Sequence, residues 1–285
     1  MPADQPAPKP ELDQRIGLFS KIERISHRTT VPSFRAGISV DNKRAEGDGY
    51  DPVTEADRTC EREIRALIET HFPDDGIIGE EYGTVRADAP YVWVIDPIDG
   101  TRAYVAGVPL WGTLVGIMTG GKPVGGFAGH PFIGERFSTR LSPQGGEACW
   151  SKGEEERVLT SRACANLSEA SLATTTPELF SEQERLAYNH LEGLVQAVRY
   201  GMDWYAYALI ASGTLDVVVE SGLSTYDILP LVPIIEAAGG IVIDWSGRSL
   251  SATDDTFTGQ VIALGDRALA EPVLNLLATA ARQAA

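Results

Sequence analysis

Apolar residues recur at three- and four-residue steps between about Glu11 and Arg28, at Leu12, Ile16, Phe19, Ile22 and Ile25, and this period predicts an amphipathic helix. Residues 37–51 are rich in Gly and charge and read as strand fragments with a mobile loop, a candidate lid. After Asp51-Pro52-Val53-Thr54-Glu55-Ala56-Asp57 a second helix is expected to about His71, burying Cys60, Ile64, Leu67 and Ile68. Phe72-Pro73-Asp74-Asp75-Gly76 has turn composition. Ile77-Ile78-Gly79-Glu80-Glu81 then reads as a short strand ending in two acids, and Val92-Trp93-Val94-Ile95 as a buried strand running into Asp96-Pro97-Ile98-Asp99-Gly100-Thr101.

From Leu110 to Arg140 the pattern gives three short strands, with Gly120-Gly121-Lys122-Pro123 and His130-Pro131-Phe132-Ile133-Gly134 as turns. Gly145-Gly146 and the acidic run Glu154-Glu155-Glu156 suggest a loop and a domain boundary near residue 150. Beyond it, strand-like Val158-Leu159 and Leu172-Ala173-Thr174, apolar strands at 215–219 and 240–244, and helices at about 181–193, 203–212 and 227–238 precede a closing helix from about Arg267. Such alternation points to α/β organisation in the second half. The expected layout is a flexible tail over 1–10, an α+β domain over 11–150 and an α/β domain over 151–285.

Composition narrows the function more than the fold. A formal net charge of −16 argues against nucleic acid or an anionic membrane as partner. No apolar run approaches the roughly 20 residues of a membrane span, and the Pro-rich start has no apolar signal region, so a cytoplasmic setting is expected. Cys60, Cys149 and Cys164 are too scattered for a disulfide framework or a zinc site and read as buried free thiols. His27, His71, His130 and His190 show no ligand spacing.

The chemistry lies in carboxylates. Two aspartates three positions apart at the end of a buried strand are costly unless something compensates them, and oxygen-only ligands suit Mg²⁺, Mn²⁺ or Ca²⁺. Glu80 and Asp227 stand in comparable places, at a strand end and ahead of an apolar helix. Plainer readings exist for each: a helix N-cap for Asp227, a solvated strand end for Glu80, a turn cap for Asp99.

Glu80-Glu81 after Ile-Gly, the run from Trp93 to Thr101, and Tyr226-Asp227 followed by Ile234-Ile235-Glu236-Ala237-Ala238-Gly239-Gly240 together resemble the inositol monophosphatase family. The resemblance covers nearly the whole chain after about residue 11, in the family's motif order. It implies a layered α/β and α+β sandwich with a metal site between the two halves, and a homodimer. It also implies a Mg²⁺-dependent phosphomonoesterase using two or three ions, with Mn²⁺ as a substitute. By the same resemblance Glu80, Asp96, Asp99, Asp227 and the carbonyl of Ile98 match the metal ligands, and Glu80 shares in catalysis. Gly100 and Thr101 match the phosphate-binding segment, and Thr101 with Asp57 matches the pair that handles the attacking water's proton. Thr54-Glu55-Ala56-Asp57 also scans as a capping box.

For the substrate, Glu220 matches the family acid on the leaving-group side. Asp203, followed by aromatics, looks like the histidinol-phosphate phosphatase branch, as do Trp111-Gly112-Thr113 and the segment His130 to Phe137. Met202 and Trp204 depart from that branch, where a Gly and a Cys are common. A second carboxylate beside the leaving group favours a cationic ester such as histidinol phosphate over inositol phosphate. Asp203 also scans as an N-cap. The rival readings are an inositol-1-monophosphatase, an adenosine 3′,5′-bisphosphate phosphatase, a sugar bisphosphatase, and a metal- or anion-binding regulator on the same scaffold.

Overall fold

The computed structural model describes residues 10–37, 39–43, 52–142, 145–251 and 257–283. The tail expected over 1–10 falls outside them except for Pro10, and so does most of the candidate lid, residues 38 and 44–51.

The chain forms five layers. Helices α1 (Pro10–Ile16), α2 (Phe19–Thr30) and α3 (Glu55–His71) cover one face of an eight-stranded sheet. Ahead of that sheet, β1 (Val40–Asn42) and β2 (Pro52–Thr54) pair as a small antiparallel ribbon. The large sheet contains β3 (Gly76–Gly79), β4 (Gly83–Val85), β5 (Tyr91–Asp99), β6 (Gly112–Thr119), β7 (Lys122–His130), β8 (Glu135–Ser142), β9 (Gly145–Lys152) and β10 (Glu155–Val158), in the order β10-β9-β8-β7-β6-β5-β3-β4. A short helix α4 (Thr101–Ala106) leaves the end of β5.

The second sheet contains β11 (Ser171–Thr174), β12 (Ala197–Tyr200), β13 (Val217–Glu220), β14 (Ile241–Ile243) and β15 (Val261–Leu264), in the order β12-β11-β13-β15-β14. Helices α6 (Trp204–Ala211), α7 (Thr225–Ile228) and α8 (Val232–Ala237) lie between the sheets, while α5 (Glu182–Glu192) and α9 (Ala270–Gln283) cover the outer face of the second. Alternation along the strands builds the layers. Trp93 and Ile95 of β5 face α2 and α3, and Val92 and Val94 face the central helices. In β13, Val217 and Val219 face α9 while Val218 faces inward.

Several expected elements change form. The first helix is two, parted at Gly17-Leu18, because Gly is a weak helix former. The helix expected over 227–238 is also two, since Pro230 offers no N–H and disfavours helical geometry in the residue before it. Gly145-Gly146 opens a strand rather than a loop, so the large sheet runs past residue 150 to Val158 and the connection between the sheets spans 159–170. Strands β12 and β15 have no counterpart in the sequence reading. All three cysteines are free and buried.

Candidate active site

Parallel strands β3 and β5 end at the same edge of the large sheet, so Glu80 and the Asp96–Asp99 segment arrive side by side. Residues three apart on a regular strand point to opposite faces. Here the β5–β6 register slips: Asp96 pairs with Leu114 and Asp99 with Gly112, which leaves one extra residue on β5. The bulge falls at Pro97-Ile98, where proline has no N–H to give to a ladder, and Thr113 Oγ1 holds the Pro97 carbonyl at 2.7 Å. The extra residue lets both carboxylates share one side. Carboxylate oxygens of Asp96, Asp99 and Asp227 come within 4.8 Å of one another.

Asp227 lines the cleft and Asp57 does not, yet the same local device holds both. Each is the third helical residue of a capping box, with Ser224 for Asp227 and Thr54 for Asp57. Asp227 Oδ2 accepts from Ser224 N at 2.7 Å, and Asp57 Oδ2 accepts from Thr54 N at 2.8 Å and Thr54 Oγ1 at 2.6 Å. Capping uses one oxygen of each carboxylate, Oδ2, and leaves Asp57 Oδ1 without a partner among the described residues. Among the described residues, Asp57 Oδ1, Glu80 Oε2 and Asp96 Oδ1 are buried with no hydrogen-bond partner.

So dense a set of acids resists ionisation. Burial, then the charges of Glu80, Asp99 and Asp227, pushes Asp96 well above the usual carboxylate range. Asp99 is pushed the same way by burial, Asp203 and Asp227, against the Trp204 N–H that it accepts at 3.0 Å. Burial raises Asp227 to about 7 and Asp57 to about 6. Lys43 faces the cluster from the end of β1, with its ammonium 2.8 Å from Glu80 Oε1 and 2.5 Å from Glu81 Oε1. An oxygen-only donor set, orphaned oxygens and acids that need neutralising fit hard divalent cations.

The cleft is lined from both halves of the chain: Glu80, Asp96, Ile98, Asp99, Gly100 and Thr101 from the first, Asp203 and Asp227 from the second. Gly100 enters α4 at φ +82°, and a Cβ there would lie 2.8 Å from the Leu110 carbonyl, so the turn into the helix requires glycine. Thr101 Oγ1 donates to the Ile98 carbonyl at 2.9 Å rather than to Asp57. Asp203 precedes α6 but makes no side-chain cap; it adopts φ 46°, ψ −139°, and burial lifts it to about 6 while Arg102 draws it down.

Glu220, only 1% exposed, is set behind the wall of the cleft. It accepts from Thr175 N at 2.6 Å and Thr174 Oγ1 at 3.0 Å, and burial raises it to about 7. The sequence reading missed Lys43, Arg102, Thr175, Thr176 and Tyr207, of which all but Lys43 line the cleft. Arg102 directly follows Gly100-Thr101 and could have been found there; the others carry no local signal.

Comparison with known proteins bears on the family and the fold. A profile described as the inositol monophosphatase family matches residues 28–282. A chloroplastic bifunctional phosphatase of Arabidopsis thaliana is 38% identical over 275 residues, 94% of this chain and 76% of the relative. A histidinol-phosphatase of Chlorobaculum parvum is 33% identical, over 84% of this chain and 87% of the relative. A solved inositol monophosphatase from Zymomonas mobilis superposes with a TM-score of 0.81 at 36% identity, covering 95% of this chain and 100% of that one.

Proposed function

The chain belongs to the inositol monophosphatase family, a group of phosphoric monoester hydrolases, and on that footing we propose that it is a Mg²⁺-dependent phosphatase whose substrate is histidinol phosphate. In this reading Glu80, Asp96, Asp99, Asp227 and the Ile98 carbonyl hold two or three Mg²⁺ ions, with Mn²⁺ able to substitute. The observation that carries it is the convergence of Asp96, Asp99 and Asp227 within 4.8 Å beside oxygens that no protein group satisfies. Ions bound there would lower the pKa of a water and stabilise the charge that develops on the leaving oxygen.

The chain's own groups then divide the remaining work. The first amides of α4, at Gly100 and Thr101, bind the phosphate. Because the Thr101 hydroxyl proton is committed to the Ile98 carbonyl, its lone pairs are left to accept from the attacking water. Asp57, with Oδ1 unpartnered, is the carboxylate behind that water that would take up the proton the water loses on attack, and Glu80 orients the water from the ligand side.

Asp203 is the group that selects the alcohol, reading a cationic side chain by a charge-assisted contact, and Glu220 braces the Thr174-Thr175 wall against it. Arg102 beside Asp203 offsets part of that charge, which favours inositol 1-phosphate as the second reading, ahead of adenosine 3′,5′-bisphosphate. We take the protein as a cytoplasmic homodimer with an N-terminal domain carrying most ligands and a C-terminal domain carrying Asp227 and the substrate pocket. Among the described residues no helix is long and apolar enough to cross a membrane. A Mg²⁺-dependent phosphate-release panel of the three esters tests the assignment, with histidinol phosphate expected to give the highest kcat/KM; a higher value for either other ester would replace it.

A further inference from the structure

Glu61 lies one helical turn beyond Asp57 on α3, is fully buried, and takes no part in the chemistry above. Its Oε1 accepts from Arg65 Nε at 2.7 Å and from the backbone N–H of Tyr82 at 3.1 Å. Its Oε2 accepts from the backbone N–H of Glu81 at 2.7 Å. Arg65 in turn donates to the carbonyl of Gly83. The turn that leaves β3 is thus clasped from below at three consecutive residues, immediately after Glu80. Glu80 itself is fixed from the other side, its N–H donating to the Ile95 carbonyl of β5 at 3.2 Å.

Gly79 makes room for this clasp. An ideal Cβ at that position would lie 2.1 Å from Glu61 Oε1 and 2.5 Å from Arg65 Nη2. Its backbone is ordinary extended strand, paired with Gly83 and Ile95, so glycine is required here for space and not for conformation. A helical Glu–Arg pair four residues apart needs neither the two turn amides nor a glycine opposite it. What needs both is a fixed path for the backbone on either side of Glu80.

We propose that Glu61 is a positioning residue: with Arg65 and the space left by Gly79, it sets the Glu80 carboxylate toward Asp96 and fixes its distance from Asp57. The proposal rests on the reading of Glu80 as a metal ligand. Helix α3 then carries both Asp57 and the clasp on one rigid element, so the acid behind the water and the ligand in front of it keep a common frame.

The test measures Mn²⁺ binding to the full-length protein by titration calorimetry, alongside Tm in EDTA. It compares wild type, Glu61→Gln, Gly79→Ala, Glu80→Ala and a control, Asp75→Asn. Asp75 is another buried carboxylate, bonded to Arg15 and Trp93 near the opposite end of β3, so its loss destabilises the same sheet away from the site. Glu61→Gln places an amide NH₂ against backbone donors, and Gly79→Ala displaces the clasp from the other side. Both should weaken Mn²⁺ binding by about 10- to 100-fold, as loss of ligand-orienting contacts does. Asp75→Asn should lose Tm yet bind within about threefold of wild type, as a distant site does. Wild-type affinity in Glu61→Gln while Glu80→Ala has lost binding overturns the positioning role alone, as does an equal loss in Asp75→Asn. Wild-type affinity in Glu80→Ala overturns the ligand reading and this proposal with it.

Discussion

Trp204 donates its backbone N–H to Asp99 Oδ1 at 3.0 Å, tying the start of α6 to a cleft carboxylate 105 residues earlier in the chain. The residue that delivers this N–H is Asp203, whose φ of 46° lies where few non-glycine residues settle. Asp203 thus lines the cleft while the N–H of its neighbour holds a carboxylate of the acidic cluster.

The first prediction follows from that geometry. Asn tolerates positive φ better than most residues, so Asp203→Asn removes charge with little change in backbone preference. It should lower kcat/KM for histidinol phosphate by about 10- to 100-fold, the range of a charge-assisted hydrogen bond, and that for inositol 1-phosphate by much less. The measurement is the ratio of the two values; an unchanged ratio removes Asp203 from the recognition of a cation.

A second concerns the water. Thr101→Ala removes the hydroxyl whose proton is held by Ile98, and Asp57→Asn alters the carboxylate proposed to act behind it. Each should reduce kcat by about 10²- to 10⁴-fold, the span of a lost proton-handling group. Far-ultraviolet circular dichroism should stay native in Thr101→Ala. In Asp57→Asn some loss of Tm is expected as well, because the same carboxylate caps α3 through Thr54. Near-normal kcat in Thr101→Ala would leave the hydroxyl a structural role only.

The third is a dependence of stability on pH without metal. Folding raises Asp227 from 3.8 to about 7 by burial, and Asp96 and Asp99 in the same direction. Between those values the folded protein holds protons that the unfolded chain has released, so stability in EDTA falls as pH rises through that window. Metal binding displaces the same protons, so the rise in Tm produced by Mg²⁺ should be larger at about pH 8 than at about pH 5. Scanning calorimetry with and without Mg²⁺ checks this; an equal or smaller rise at the higher pH contradicts it.

Much of the candidate site's local geometry is legible in the chain because its pieces are local. Asp96-Pro97-Ile98-Asp99 encodes its own bulge, since proline cannot join the ladder, and Thr54–Asp57 and Ser224–Asp227 encode their own capping boxes. The breaks at Gly17 and Pro230 were equally local, but the apolar period ran across both and masked them. Other features depend on long-range partners. Strand β12 is short and mostly exposed on the sheet edge, paired with β11, and β15 is placed by its pairing with β13 and β14. Lys43 meets Glu80 only through the fold, and Glu220 turns away from the cleft because Thr174 and Thr175 on the neighbouring strand take both its oxygens. Gly145-Gly146 likewise depend on a partner: two glycines suggest a loop, whereas the backbone there continues a hairpin with β8.

If the acids of the cleft hold the ions that support phosphate-ester hydrolysis, activity must depend on both. The most direct measurement is phosphate release from histidinol phosphate by the wild-type protein and by Asp99→Asn, in EDTA and with Mg²⁺ restored. Release that is absent in EDTA, returns with Mg²⁺, and falls by at least about 10²-fold in Asp99→Asn with native circular dichroism is the predicted result. Release that persists in EDTA, or survives in Asp99→Asn at wild-type rate, would contradict it.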